Sequence, residues 1–197
     1  MNADETSSPA VLSPSEVAVL AGVPERTVER AIKDHLLTPR AIRSETGRPR
    51  RMLPVQAVAY AAAIAKLDLR LTADQKKRLA HKLAEIDPES ITKARIEIAP
   101  AVEIDIGRLV GDAVQHADHY RKMRNQYIVI DPEIQGGKPV IRGTRITVSS
   151  VLGQVDRGDT IDLIAEDNYD IPREAFEVAV IYGRSHPFVR RRAEGPG

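Results

Sequence analysis

The sequence predicts a mainly α chain with short β elements. A winged helix-turn-helix is expected at the N-terminal end, and a small β-arm with a three-helix, helix-turn-helix-like module at the C-terminal end. Three observations carry this. The segment VAVLAGVPERTVERAIK, 17–33, has helical apolar spacing broken once, at Gly22. The runs RIEI, 95–98, and VEID, 102–105, alternate with the period of strands. The stretch GGKPVIRGTRITV, 136–148, places three glycines ahead of a helical segment.

Each element has a local cause. Residues 1–10, MNADETSSPA, have the composition of a disordered tail. Ser13-Pro14-Ser15-Glu16 starts a helix: Ser13 caps, Pro14 suits the first helical position, and Glu16 completes a capping box. Gly22 stops that helix, and Pro24-Glu25 opens the next. Residues 38–53 break the helical pattern, with Thr46-Gly47 as a hairpin tip. Helix resumes from Pro54 through VQAVAYAAAIAKL, and again over about Thr72 to Glu85 with Leu79 and Leu83 inward. The two alternating strands come next, then a helix from Gly107 to Gln126 with Leu109, Val110, Ala113 and Val114 on its apolar side. Tyr127 to Ile130 is a short strand, and Asp131-Pro132 begins a turn. Helices over 148–157, 160–167 and 172–184 complete the chain before the basic tail SHPFVRRRAEGPG. The expected organisation is a tail over 1–10, a winged helix-turn-helix domain over 11–86, a linker and dimerisation region over 87–126, a C-terminal module over 127–186, and a flexible basic tail over 187–197.

Composition narrows the function classes. The chain has 197 residues, enough for one large or two small domains. Its 29 Lys and Arg nearly balance 28 Asp and Glu, so any basic surface is local. Without cysteine there is no disulfide or thiolate metal site. Aromatics are 4% with no Trp, which disfavours stacking platforms for single-stranded nucleic acid. No apolar run approaches the ~18 residues of a membrane span, and Met1 to Ala10 lacks a signal-peptide core. A cytoplasmic location is expected.

The glycine-rich stretch is not a phosphate cradle. A Walker loop needs Lys and then Ser or Thr after its last glycine. Here Thr144-Arg145 follows Gly143, and Lys138 comes too early. Pro139-Val140-Ile141 and Arg145-Ile146-Thr147 instead flank a turn at Gly143, so Gly137, Pro139, Arg142, Gly143, Thr144 and Arg145 form an architectural motif. Its arginines either tie the arm to the helices or serve an interface. His116 and His119 share a helical face beside Asp118, but no third ligand is spaced to join them. No carboxylate cluster has the form a metal nuclease requires. No enzyme activity, metal or cofactor is expected.

The N-terminal segment carries the clearest functional signal. A helix-turn-helix needs a small residue where its helices cross, a glycine at the turn, and apolar residues that lock the second helix. Ala18, Gly22, Val17, Val23 and Val28 have that spacing. On the second helix Arg26, Thr27 and Arg30 become candidates for base edges and Lys33 for phosphate. Arg43, Arg48, Arg50 and Arg51 cluster around the following hairpin. The arrangement resembles the winged helix-turn-helix of MerR-type regulators, without a long dimerising coiled coil.

The C-terminal third carries a second resemblance. Asp131-Pro132, the run GGKPVIRGTRI, Val148, Gly158, Leu163-Ile164, Ala179 and Tyr182 are similar to a bacterial family of small antitoxin domains. That family was first catalogued as a domain of unknown function and is associated with VapB-like antitoxins. The sequence NYDIP, 168–172, stands where the family has a Tyr-Pro pair. The resemblance implies a VapB-type antitoxin that neutralises a PIN-domain, VapC-like ribonuclease toxin and binds operator double-stranded DNA; a homodimer is expected because helix-turn-helix proteins commonly pair to match two half-sites. Two surfaces are open for the toxin: the module through Tyr169, Phe176 and Tyr182, or the tail through Phe188, Arg190, Arg191 and Arg192. A stand-alone helix-turn-helix regulator is the alternative function.

Overall fold

The computed structural model describes residues 11–43, 49–67 and 69–186. The expected tails over 1–10 and 187–197 and the Thr46-Gly47 tip lie outside them. The described chain is mainly helical with short antiparallel strands, as the sequence predicts. It divides into two compact units, one up to Asp118 and one from His119.

In the first unit, strand β1 (Val11–Leu12) leads into helix α1 (Pro14–Ala21). The expected capping box is present: the Ser13 hydroxyl accepts from the Glu16 amide, and the Glu16 carboxylate accepts from the Ser13 amide at 2.7 Å. Gly22, in the left-handed region, ends α1 with its amide on the carbonyls of Ala18 and Val19. Helix α2 (Glu25–Lys33) follows after Pro24. Strands β2 (Arg40–Arg43) and β3 (Pro49–Pro54) pair antiparallel, and β1 pairs with the other side of β3, giving the order β1-β3-β2. Helix α3 (Gln56–Lys66) begins two residues after Pro54, because Pro54 itself pairs with Val11 in the sheet. Its alanine-rich middle, Ala57 to Ala63, is buried throughout. Helix α4 (Ala73–Glu85) carries a Thr72–Gln75 capping box and buries Leu79 and Leu83. Each such leucine contributes about 2 kcal/mol of apolar burial.

Residues 87–118, the larger part of the 87–126 stretch read as a linker and dimerisation region, belong to this unit. A 3-10 turn over Pro88–Lys93 buries Ile91. The alternating segments form an antiparallel pair, β4 (Arg95–Ala99) and β5 (Val102–Asp105), with Ile96, Ile98 and Ile104 inward. Helix α5 (Ile106–Tyr127) then begins. It buries Val110 and Val114 from the expected apolar side, while Leu109 and Ala113 are half-buried.

In the second unit, the last part of α5 buries Tyr120 and leads into β6 (Ile128–Val129). This strand pairs antiparallel with β7 (Val140–Ile141). Helices α6 (Val148–Asp156), α7 (Ile161–Glu166) and α8 (Arg173–Ser185) follow. Thr147 and Thr160 cap the first two through their hydroxyls. The core is Val148, Val151, Leu152 and Ile164 packed against Phe176, Ala179 and Val180 of α8.

Candidate functional site

In the first unit, α1 locks α2 from one side. Val17 and Val28 are fully buried, with Ala18 and Ala31 nearly so, and the Val23 amide bonds the Ala18 carbonyl at 2.9 Å. The opposite face of α2 points outward. Arg26, Arg30 and Lys33 are exposed on it, spaced as one stripe, and Thr27 is half-buried beside them. None of the three cations has an ion-pair partner among the described residues.

The two carboxylates of α2 are engaged elsewhere. The Ser15 hydroxyl donates to Glu25 Oε1 at 2.6 Å. Arg51 Nη2 bonds Glu29 Oε1 at 2.8 Å across from β3. The hairpin explains that reach. Side chains alternate along a strand, so Arg51 shares a face with buried Leu53, toward the helices, while Arg50 points the other way. Arg50 and Arg51, grouped together in the sequence, therefore sit on opposite faces, and Arg51 is already paired. Arg40 opposes Met52 and Arg43 opposes Pro49 in the register. Arg48 lies outside the described residues.

In the second unit, the glycine-rich motif is architectural. The Ile134 amide bonds the Asp131 carbonyl, and the Asp131 side chain accepts from the Glu133 amide at 2.9 Å. Gln135, Gly136 and Gly137 all take positive φ, which turns the chain toward β7. The Pro139 carbonyl accepts from the Val148 amide at 2.9 Å and ties the arm to α6. Gly143 has φ 78° at the tip of the second turn, a conformation that a Cβ would strain. Beside it the Thr144 hydroxyl donates to the Ile141 carbonyl and accepts from the Ile146 amide. Arg142 donates from Nε to the Gln126 carbonyl at 2.8 Å and from Nη2 to the Asn125 carbonyl at 2.9 Å. It thus holds the carbonyls at the end of α5. Arg145, read from the sequence as its equal, is exposed and makes no such bond among the described residues.

The residues named for toxin contact separate. Tyr169 is 90% exposed on the segment before α8. Phe176 has 0% exposure and belongs to the core, so it is not a contact surface. On α8 it falls on the side packed against α6 and α7, which helical spacing alone does not distinguish from the outer side. Tyr182 is half-buried and stacks on His186 with ring centroids 3.9 Å apart. Phe188, Arg190, Arg191 and Arg192 lie outside the described residues. An open cleft of about 500 Å³ separates the motif from the segment before α8, lined by Tyr127, Arg142, Thr144, Asn168 and Ile171.

One cluster escaped sequence reasoning. Glu174 on α8 accepts from the Tyr127 hydroxyl at 2.7 Å and lies against His119 Nε2. The hydrogen bond to Glu174 raises the Tyr127 phenol above its ordinary value of 10.0, with burial and the carboxylate charge adding to it. His119 was legible only as half of a pair with His116, because its partner stands on another helix. Among the described residues no group of three or more His, Asp or Glu side chains is placed to hold a metal ion. Among the same residues no helix is long and apolar enough to cross a membrane.

Comparison with known proteins places the motif in context. Residues 128–182 match the family described as a protein of unknown function, DUF433. The match spans β6 through most of α8 and includes the whole glycine-rich motif. Over nearly the full length, the chain is similar to the uncharacterized protein y4eO of Sinorhizobium fredii. The two are 28% identical over 203 residues, which covers 95% of this chain and 88% of the relative. A crystal structure of Rv2018 from Mycobacterium tuberculosis covers 87% of this chain and 97% of its own, at 16% identity and a TM-score of 0.35.

Proposed function

We propose that this protein is a DNA-binding antitoxin. On this reading the first unit binds operator duplex DNA and represses its own operon, and the second binds and neutralises a PIN-domain ribonuclease. The observation that carries the reading is the stripe Arg26, Arg30 and Lys33, exposed and without ion-pair partners among the described residues, on a helix that α1 locks in place. A rigid cationic stripe beside a basic hairpin fits the electrostatic footprint of duplex recognition. The antitoxin half rests on the similarity of the GGKPVIRGTRI motif to VapB-associated domains. Exposed Tyr169, with Leu163 at 47% exposure on α7, supplies an apolar surface for such a partner. A homodimer accompanies this reading, since paired recognition helices match two half-sites.

The test has two arms. Gel-shift titration against the DNA upstream of the protein's own reading frame is expected to show binding. Arg26→Ala with Arg30→Ala should weaken it roughly tenfold or more, at ~1–3 kcal/mol for each lost base contact. Unchanged affinity in the double variant removes α2 as the reading helix. The second arm is co-purification with the product of the neighbouring gene, followed by an RNA-cleavage assay. A neighbour that is no nuclease leaves a stand-alone regulator as the function.

A further inference from the structure

The first unit holds a cavity that the proposed function does not use. It has a volume of about 470 Å³ and lies where the end of α2, the hairpin, α3 and α4 meet. That size suits a small organic ligand. Its floor is apolar, formed by Leu37, Leu53, Tyr60 and Leu83, all buried. Its rim carries Arg40 and Lys77, with His35 and His81, and no carboxylate lines it among the described residues. Two acids of the described residues stand close by but outside the lining: Glu85 faces His81 at 3.4 Å, and the Asp34 charge reaches Tyr60.

The wall also has a polar part. Gln56 lines the cavity, and its Nε2 donates to the Ile86 carbonyl at 3.0 Å. That bond fixes the orientation of the amide. The remaining oxygen, Oε1, is buried without a hydrogen-bond donor among the described residues. A buried acceptor left unpaired is costly, and with essentially no accessible surface Oε1 lies behind the cavity wall. Tyr60 contributes a phenol that burial keeps protonated.

We infer that this cavity is a regulatory site for a small amphipathic carboxylate. The apolar body lies against Leu53 and Tyr60, and the carboxylate meets Lys77 and Arg40. The site joins the C-terminal end of α2 to the hairpin, so occupancy shifts the position of both DNA-facing elements. This regulatory half rests on the DNA-binding reading; the binding half does not.

The experiment uses the full chain and a defined panel: benzoate, salicylate, phenylacetate and indole-3-acetate, each with its neutral carboxamide. Isothermal titration and thermal melting read binding. At least one carboxylate should bind and raise Tm, with its carboxamide fivefold weaker or more. Lys77→Met should weaken the carboxylate about fivefold and leave the carboxamide unchanged. Ala84→Trp, at an exposed lining position, should abolish both while leaving the unliganded Tm near its original value. Absence of binding across the panel overturns the proposal, as does a carboxamide equal to its carboxylate or a Lys77→Met affinity equal to the original. DNA titration with and without the bound carboxylate then reads regulation: an unchanged DNA affinity overturns the regulatory half. If the ligand binds and the protein binds no DNA at all, the function proposed above fails and the ligand site stands.

Discussion

The exposed arginines of α2 and the bracing arginines of the second unit are used in opposite ways. In the first unit, Arg26 and Arg30 project from α2 with no partner among the described residues. In the second, Arg142 spends its guanidinium on the carbonyls of Asn125 and Gln126, and Arg173 on Asp162 and Glu177. The residue type is the same and the exposure is comparable, but the hydrogen-bonding state differs. An arginine whose donors are satisfied within the chain is a brace. One whose donors face only water is available to a phosphate or a base. Counting arginines in a motif therefore says little about binding until their partners are known.

The largest expected effect breaks the frame that carries the free arginines. Gly107, at the start of α5, lies so close to the turn before β4 that an added Cβ would stand 1.9 Å from the Thr92 carbonyl oxygen. Backbone cannot yield as a side chain can. Gly107→Ala should destabilise the first unit by roughly 3 kcal/mol or more, by overpacking against fixed atoms. Urea unfolding followed on a probe in each unit would show it. Equal stability of the variant would mean that this approach is not held in solution.

The second effect contrasts two tyrosines. Burial pushes the Tyr60 phenol from 10.0 up to about 12, with the Asp34 charge adding to it. Tyr127 moves in the same direction for another reason, its bond to Glu174. A raised phenol favours the protonated native state. Its contribution is fully present below the unfolded value near 10.0 and is lost as pH rises to about 12. For Tyr60 the loss amounts to about 2–3 kcal/mol over that window. Tyr60→Phe should flatten the alkaline fall in stability relative to the unaltered protein. Identical pH slopes in the two proteins would contradict the burial.

The start of α1 was legible because its cap is local, and the same spacing recurs at three later helices. Ser13, Thr72, Thr147 and Thr160 each lie three residues before the amide they bond. The alternating strands β4 and β5 were legible for the same reason. The two-residue strand β1 was not, since it exists only through its pairing with β3. Nor was the 3-10 turn at Pro88, which the sequence marks only as the end of α4. On the candidate surfaces, the stripe on α2 followed from helical spacing. The fates of Phe176 and Arg51 did not, because each is decided by an element distant in sequence. Arg51 and Glu29 are 22 positions apart.

The third prediction tests the brace directly. Arg142→Ala removes two charge-assisted bonds at an exposed site, so its cost is discounted for solvent to about 1 kcal/mol. It should lower Tm and leave DNA affinity unchanged, the reverse of Arg26→Ala. Arg142→Lys should recover little, because one ammonium does not reproduce the fork that reaches two carbonyls. A variant with full stability and altered DNA binding would move Arg142 from brace to contact.

The smallest effect on stability falls on the pair that crosses the two classes. Arg51 belongs to the basic hairpin but is held by Glu29, with 56% and 38% of the two side chains exposed. An exposed pair of this kind contributes about 0–1 kcal/mol, so breaking it barely changes folding. Its effect on DNA should be larger. Glu29 removes one positive charge from the surface beside α2 and holds the guanidinium toward the helix. Glu29→Gln releases Arg51 and removes a carboxylate that would repel phosphate. On the DNA-binding reading, the variant should bind duplex more tightly, and the dependence of affinity on salt should steepen by about one released counterion. Glu29→Gln combined with Arg51→Ala should lose that gain, since the freed cation is then absent. If Glu29→Gln changes neither affinity nor salt slope while Arg26→Ala does, the hairpin face bearing Arg51 lies away from the DNA and α2 reads it alone.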